Sequence, residues 1–213
     1  MNFIVRAAVA MFFVVLVVTT PTSHAFAQMR PFYGGVFGGY TIPQDMTWND
    51  KSTGDSFDLK VDETGMIGFK LGYILPRARV LALELEYYHI FEHNYGPGGN
   101  SFVSEAGNLY LDNFFFNLLL RYPQGKIHPY IGAGIGFSDV YTKNVETTAR
   151  LSIFQEETVS SFAWQLLAGL NFELVPGLSA DFTYRYFGTN PHLAIVDLKY
   201  RASILSAGIN FHF

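Results

Sequence analysis

The glycines, aspartates and histidines of this chain are the residues whose types could form a nucleotide, calcium or catalytic site. Their spacing argues against all three kinds of site. The triplet Gly132-x-Gly134-x-Gly136 differs from the G-x-G-x-x-G dinucleotide fingerprint and lies within a predicted strand, not at a strand-to-helix turn. Carboxylates that could hold Ca²⁺ occur between residues 42 and 62, but not at the spacing of an EF-hand loop. These acidic residues are Asp45, Asp50, Asp55, Asp58 and Asp62. We predict a solvated loop there.

The histidines do not form a ligand pair on one face of a predicted strand. Beyond the N-terminal segment they are His89, His93, His128, His192 and His212. His89 lies near one end of a predicted strand, where a hydrolase could place a general base. Such an enzyme would need a serine nucleophile beside the histidine, and this strand contains no serine. We therefore predict no catalytic, cofactor or metal site, and a protein that is not an enzyme.

Composition excludes several classes of protein. Of the 213 residues, 49% are hydrophobic and only 15% are charged, which excludes a disordered chain. The absence of cysteine excludes a disulfide scaffold and a cysteine-based zinc site. The formal net charge of −4 argues against nucleic acid as a partner. The only long apolar run is at the N-terminus, so a protein with several membrane-spanning helices is excluded as well.

The N-terminal segment is predicted to be a cleaved secretory signal peptide. Arg6 gives it a positive start, and a short apolar stretch follows over residues 7–18. Ala25-Phe26-Ala27 then matches the small-residue cleavage pattern. We expect a signal peptide over residues 1–27 and a single domain over residues 28–213.

After residue 30 the dominant pattern is the alternation of apolar and polar residues that is typical of β-strands. In residues 79–91, Leu81, Leu83 and Leu85 fall on one face, whereas Glu84 and Glu86 fall on the other. The pattern predicts eight strands, at about 31–41, 63–75, 79–91, 109–122, 127–139, 159–173, 177–187 and 199–213. Most of them match the ~9–11 residues of a tilted strand that crosses a membrane.

Short and long connections alternate along the chain. Three are tight turns with proline or glycine, at residues 76–78, 123–126 and 174–177. The other four are longer, at about 42–62, 92–108, 140–158 and 188–198. This alternation indicates an up-and-down antiparallel barrel with one plain end and one elaborated end.

Alternation alone does not say whether the apolar face lines the barrel or coats it. A soluble, lipocalin-like barrel would bind a lipid inside, whereas a membrane barrel would turn the apolar face towards lipid. In strand 159–173 the apolar row begins with Phe162 and Trp164 and ends with Phe172, as expected for rings at two membrane interfaces. The opposite faces of strands 63–75 and 127–139 are rich in glycine, which a solvent-facing strand surface rarely carries. Both features favour the membrane barrel.

Four features together resemble the eight-stranded outer-membrane β-barrel family, which includes the membrane domain of outer membrane protein A and the outer membrane protein X group. They are the A-x-A cleavage site, the strand His128-Pro-Tyr-Ile-Gly-Ala-Gly-Ile-Gly136, the strand Leu178-Ser-Ala-Asp-Phe-Thr-Tyr-Arg-Tyr186 and the final Phe213. The resemblance implies a Gram-negative outer membrane location. It also implies that Phe211 and Phe213 form the insertion signal read by the barrel-assembly machinery.

With the apolar face outward, the polar residues on the strands collect inside. The predicted interior network consists of Lys70, Glu84, Glu86, Asn117, Arg121, Gln165, Asp181 and Arg185. Unpaired charges there would each cost several kcal/mol, so we expect ion pairs and hydrogen bonds. An eight-stranded interior is just wide enough for its own side chains, which favours a filled lumen over an open channel.

The sequence therefore predicts a monomeric barrel with a structural or surface role, such as envelope integrity, adhesion or protection. The expected partners are outer-membrane lipid, lipopolysaccharide and an unidentified surface ligand of the long loops. We expect residues 140–158 to extend the flanking strands above the membrane. Two alternatives stay open: a narrow conduit for small apolar solutes, and the soluble lipid-binding barrel.

Overall fold

The computed structural model describes residues 30–44, 46–50, 56–97, 106–146, 157–191 and 196–213. The predicted signal peptide, residues 1–27, lies outside the described residues, as do Asp45 and Asp55 of the acidic segment. Within the described ranges the chain forms ten β-strands: β1 (Phe32–Pro43), β2 (Met46–Asp50), β3 (Ser56–Val61), β4 (Thr64–Ile74), β5 (Leu81–Pro97), β6 (Ala106–Arg121), β7 (Ile127–Glu146), β8 (Glu157–Val175), β9 (Leu178–Thr189) and β10 (Val196–His212). The same part of the chain holds no helix long and apolar enough to cross a membrane.

Eight of these strands close into an antiparallel up-and-down barrel. β1 pairs with β4, each strand from β4 to β10 pairs with the next, and β10 returns to pair with β1. The closing pair runs from Tyr33 opposite His212 to Pro43 opposite Ala202. Closure pairs each of these eight strands on both sides over the part of the wall that they share. The predicted fold class is confirmed, and the eight predicted strands correspond to β1 and β4–β10.

The remaining two strands correct the prediction that residues 42–62 form a plain loop. β2 pairs with β3 to make a hairpin. Its outer edges pair with residues 196–199 of β10 and residues 95–97 of β5. Because β5 and β10 extend beyond the shorter β1 and β4, their upper edges need another partner. The hairpin supplies it and continues the wall at the loop end.

The two ends of the barrel differ as the connections predicted. At the plain end, β8 and β9 are separated only by residues 176–177, and β6 and β7 by residues 122–126. Gly125 and Gly177 have φ values of 79° and 88°, which few other residues adopt without strain. At the other end β7 and β8 are 20 and 19 residues long, well beyond a membrane-crossing length.

The apolar face of the wall points outward. Ile131, Ile135 and Phe137 on β7 are 61%, 61% and 65% exposed, whereas Gly134 and Ser138 between them are buried. On β8, Leu166 is 52% exposed and its neighbour Gln165 only 1%. A soluble barrel would bury the first set and expose the second. The lipocalin-like alternative is therefore wrong.

Candidate functional site: the barrel interior

The half of the interior nearest the short turns holds a polar group centred on Lys70, which we call the turn-side network. The Lys70 ammonium lies 3.1 Å from Asp181 Oδ1 and 3.6 Å from Glu84 Oε2. Tyr33 donates a hydrogen bond of 2.8 Å to Glu84, and Tyr130 donates one of 3.0 Å to Asp181. Each buried carboxylate therefore has both a cation and a hydroxyl donor.

A second group, the central network, lies next to the first and is centred on Glu86 and Arg185. Arg185 Nη2 pairs with Glu86 Oε1, and Arg185 Nη1 bonds Ser206. Gln165 and Asn117 donate to Glu86 Oε2 over 2.8 Å and 3.0 Å. The networks are connected, because the Asn117 amide also lies 3.3 Å from Glu84 Oε1.

Register explains why residues so distant in sequence meet. On adjacent strands Lys70 is opposite Glu86, and Glu84 is opposite Asn117. Arg185 reaches Glu86 from across the lumen, 99 positions along the chain. Its guanidinium also lies 4.5 Å from the centre of the Phe37 ring, a cation–π contact that stabilises the buried charge.

Glycines make the space that these side chains fill. A Cβ at Gly134 would overlap the Asn117 amide oxygen, and one at Gly72 would overlap the Tyr33 ring. Both neighbours belong to the networks. The glycine-rich inner faces thus leave room for larger polar partners on the next strand.

Arg121, the eighth residue of the predicted network, lies apart from the other seven. It is half-buried at the turn end and lines a small cavity of about 30 Å³ beside Tyr33 and His212. Among the described residues it makes no ion pair within 4 Å. The buried charges of the networks are Lys70 and Arg185 against Glu84, Glu86 and Asp181, so two positive and three negative charges leave an excess of −1. Arg121 lies where it can offset this excess from a distance.

The loop-side half of the interior corrects the expectation of a lumen filled by polar side chains. It holds an apolar group, which we call the loop-side cluster. The cluster includes Ile90, Leu111, Phe115, Phe187 and Ile204, each at most 3% exposed. Parity alone could not reveal it, because the outer face at this level carries polar residues such as His89, Asp112 and Arg201, so the rule that apolar residues point outward does not hold there.

His89 and His93 lie on opposite faces of the wall although they are four residues apart. The register shifts between Ile90 and His93, and this bulge reverses the side-chain alternation. His93 is 2% exposed and lies against the Tyr200 ring at 5.9 Å. Neither His93 ring nitrogen has a hydrogen-bond partner, so burial favours the neutral imidazole.

An outward polar group near the loop end was also missed. His89 Nδ1 lies 2.8 Å from Asp112 Oδ1, and Tyr87 donates to the same oxygen over 2.7 Å. On the next strands Ser160 donates to Asp139, which is directly opposite Asp112. A carboxylate that orients a histidine is part of many hydrolase sites. The serine here bonds Asp139, not His89, so the contacts do not assemble a nucleophile–base pair. The partner of His89 is on the next strand, where spacing within one strand could not reveal it.

The two predicted insertion-signal residues lie at the turn end. Phe211 is 58% exposed on the outer face. Phe213 continues the β10 pairing through a hydrogen bond of 2.9 Å from its amide to Phe32 O, and its ring lies 6.3 Å from the Phe32 ring. No cluster of three or more metal-ligating side chains occurs in the described part of the chain.

The structure is a closed antiparallel barrel with an apolar outer wall, short turns at one end and paired charges inside. These features together define a class of outer-membrane protein. The sequence profile of the outer membrane protein beta-barrel domain family matches residues 12–213, and the chain belongs to that family. No curated protein matches the chain.

Solved structures share the fold at low sequence identity. Neisserial surface protein A is 17% identical with a TM-score of 0.54, over 85% of this chain and 97% of its own. Outer membrane protein OprG from Pseudomonas aeruginosa is 13% identical with a TM-score of 0.56, over 87% and 99%. The outer membrane protease OmpT from Escherichia coli is 6% identical with a TM-score of 0.52, over 92% and 100%. The same barrel fold is thus found in a protein named as a protease and in proteins whose names indicate no enzymatic activity.

Proposed function

We propose that this protein is a closed, non-enzymatic barrel whose role in the outer membrane is structural or is carried by its loop end. The observation that supports the proposal best is that, within the part of the chain that the structure describes, buried side chains occupy both halves of the interior. The turn-side and central networks occupy one half, and the loop-side cluster occupies the other. The interior cavity next to the turn-side network has a volume of only about 30 Å³, roughly that of one water molecule. A solute would have to break buried ion pairs to pass.

The direct test is conductance in planar bilayers. The purified barrel, shown to be folded by a gel mobility that shifts on boiling, is expected to give no stepwise channel currents. A control variant, Glu86→Ala with Arg185→Ala, removes the side chains that fill the centre and should admit ions if it folds. Stable unit conductance of the native protein would contradict the proposal.

A second candidate function is the uptake of small apolar solutes at the loop end. The observation that favours it is the apolar character of the loop-side cluster, which an apolar molecule could enter if the cluster opened. Titration of the folded barrel with the fluorescent probe N-phenyl-1-naphthylamine separates the two candidates. Saturable binding that the substitution Ile204→Glu abolishes would favour uptake. Binding no stronger than to empty micelles would support the closed barrel.

We further propose that the protein is a monomer, that lipopolysaccharide surrounds its loop-side rim, and that the assembly machinery recognises its last strand. The support for the last point is the outward Phe211 and the paired end at Phe213. The long loops are the natural site for a surface ligand, because the turn end offers only short connections.

A further inference from the structure

We propose that the outer wall carries a specific site for a phosphorylated glycolipid of the outer leaflet. One acyl chain would lie in a recess formed by β8, β9, β10 and β1, and a phosphate would meet Arg201 and Lys199 above it. This inference rests on the proposed orientation, in which the loop end faces outward across the outer leaflet.

The recess is produced by small side chains among large ones. It has a volume of about 760 Å³, and its outward-facing floor includes Gly38, Ala168 and Ala207. Tyr40 and Tyr184 line it towards the loop end. Ala207 is opposite Gly38 on one side and Phe182 on the other, and Ala168 is opposite Tyr184. The large side chains of β9 thus separate Ala168 from the Gly38–Ala207 pair and form part of the lining of the recess.

Most of the wall elsewhere is covered by long side chains. Ile135 and Phe137 on β7, for example, are 61% and 65% exposed. A hydrocarbon phase fills a recess of this size, because an empty one would forfeit the dispersion contacts of its walls. An acyl chain in this shallow recess would contact the side chains of Phe182, Tyr184 and Leu205 at its borders. The recess therefore favours one ordered chain over the bulk lipid.

The outward-facing residues of β10 are charged at the loop end and apolar further down, in the same order as the headgroup and acyl chain of a lipid. From the loop end towards the turns it runs Lys199, Arg201, Ser203, Leu205 and Ala207. Two cations thus stand directly above the apolar floor on one strand. A ligand with an anionic head and an apolar tail complements this order, and the head is at the level of the outer leaflet.

Arg201 is held in a fixed position for such a contact. Its Nη1 donates to Thr189 O and Asn190 Oδ1, each over 3.0 Å, and its guanidinium lies 5.5 Å from the Trp164 ring centre. Among the described residues all its hydrogen bonds start from Nη1, so Nε and Nη2 keep their N–H groups for a ligand. A planar guanidinium with two adjacent N–H groups is suited to a phosphate.

The other side of the barrel has the opposite charge. Asp112 and Asp139 face outward near the loop end of β6 and β7, directly opposite each other. They are only 4% and 6% exposed, and Asp112 is hydrogen-bonded to Tyr87 and His89. The Glu63 carboxylate is also close to the recess, bonded to the Tyr40 hydroxyl, so the attraction for an anionic headgroup comes from Arg201 and Lys199 alone.

The test is native mass spectrometry of the detergent-solubilised full barrel titrated with bisphosphorylated lipid A. The native protein is expected to bind one molecule, and to bind the same lipid without its phosphates at least tenfold more weakly, as for the loss of a charge-assisted hydrogen bond. Arg201→Gln with Lys199→Gln should weaken binding by about tenfold or more. Ala207→Phe, which fills the recess, should weaken it without changing any charge.

Matched controls keep the test specific. Lys126→Gln removes a cation at the turn end, and Ala133→Phe adds a ring to the outer face of β7; neither should change lipid A binding. Arg201→Lys should retain part of the lipid A binding. Each variant is first shown to be folded by its gel mobility. Equal binding by all variants would overturn the proposal, and so would a loss of binding caused by Asp112→Asn. Conductance is measured separately, so an open channel would refute the closed barrel without deciding the lipid site.

Discussion

Replacing Arg185 tests the central network most sharply, because the side chain is 1% exposed and its partner Glu86 is buried as well. Arg185→Met keeps most of the volume but leaves the Glu86 carboxylate without its cation. Breaking a buried pair in this way costs about 3–5 kcal/mol. Gln165 and Asn117 still donate to Glu86 over 2.8 Å and 3.0 Å. We therefore expect the lower end of the range, about 3 kcal/mol.

The assay is equilibrium unfolding by urea of the barrel refolded in lipid vesicles, followed by gel mobility and tryptophan fluorescence. With a slope of ~2 kcal/mol per molar, the midpoint should fall by about 1.5 M. The urea midpoint of Glu86→Gln should fall by a similar amount. The double variant, Glu86→Gln with Arg185→Met, should lose less stability than either single variant, because two neutral side chains leave no buried charge without a partner.

The exposed Arg79 provides the control, since Arg79→Met at a short turn removes the same charge from solvent and should leave the midpoint within about 0.5 M. The reasoning about the network fails if Arg185→Met behaves like this control. It also fails if the double variant loses the sum of the two single losses, because the two residues would then act independently.

Three further predictions concern the wall and its end. Gly134→Val should prevent tight packing, because its Cβ would overlap the Asn117 amide; a lower urea midpoint is expected, and an unchanged one would contradict the close approach. Ile135→Arg places a charge on the lipid face and should cost about 2–4 kcal/mol in vesicles, whereas a cost below about 0.5 kcal/mol would argue against lipid contact. Deleting Phe213 should reduce the heat-modifiable band in the outer-membrane fraction of cells while leaving refolding of the purified chain into vesicles nearly intact; equal loss in both would indicate a purely structural role.

The sequence could predict the barrel because outward and inward residues alternate with a period of two along each strand of the wall. Leu83 and Leu85 alternate with Glu84 and Glu86 along β5, and lipid requires that rule on each membrane-crossing strand. The polar partners followed from the same parity: Lys70, Glu84, Asp181 and the central residues all point inward. Register within each pair could not be read from the pattern, since it is fixed by the short turns and by packing across the lumen.

Other features escaped the pattern for identifiable reasons. The β2–β3 hairpin has strands of only five and six residues, and it forms because β5 and β10 present free edges above β1. The loop-side cluster lies where the outer face carries polar residues such as His89, Asp112 and Arg201, so parity cannot assign its apolar residues to the interior. The bulge before His93 shifts the parity by one residue, which a strict alternation cannot represent. Arg121 has the inward parity but lies too near the turn end to join the other charges.

The central claim is that lipid touches the apolar face while the charged groups are enclosed, and the absence of native cysteine allows a direct measurement of it. Single cysteines at Ile135 and Leu166, and at the buried Ser138 and Ser206, can be tested in folded barrels in vesicles with a lipid-soluble maleimide. Because maleimide reacts with the thiolate, which is scarce in hydrocarbon, we expect slow labelling that goes to completion at the first two positions, and protection at the other two until the barrel is boiled. Labelling of Ser138→Cys and Ser206→Cys with protection of Ile135→Cys and Leu166→Cys would contradict the claim.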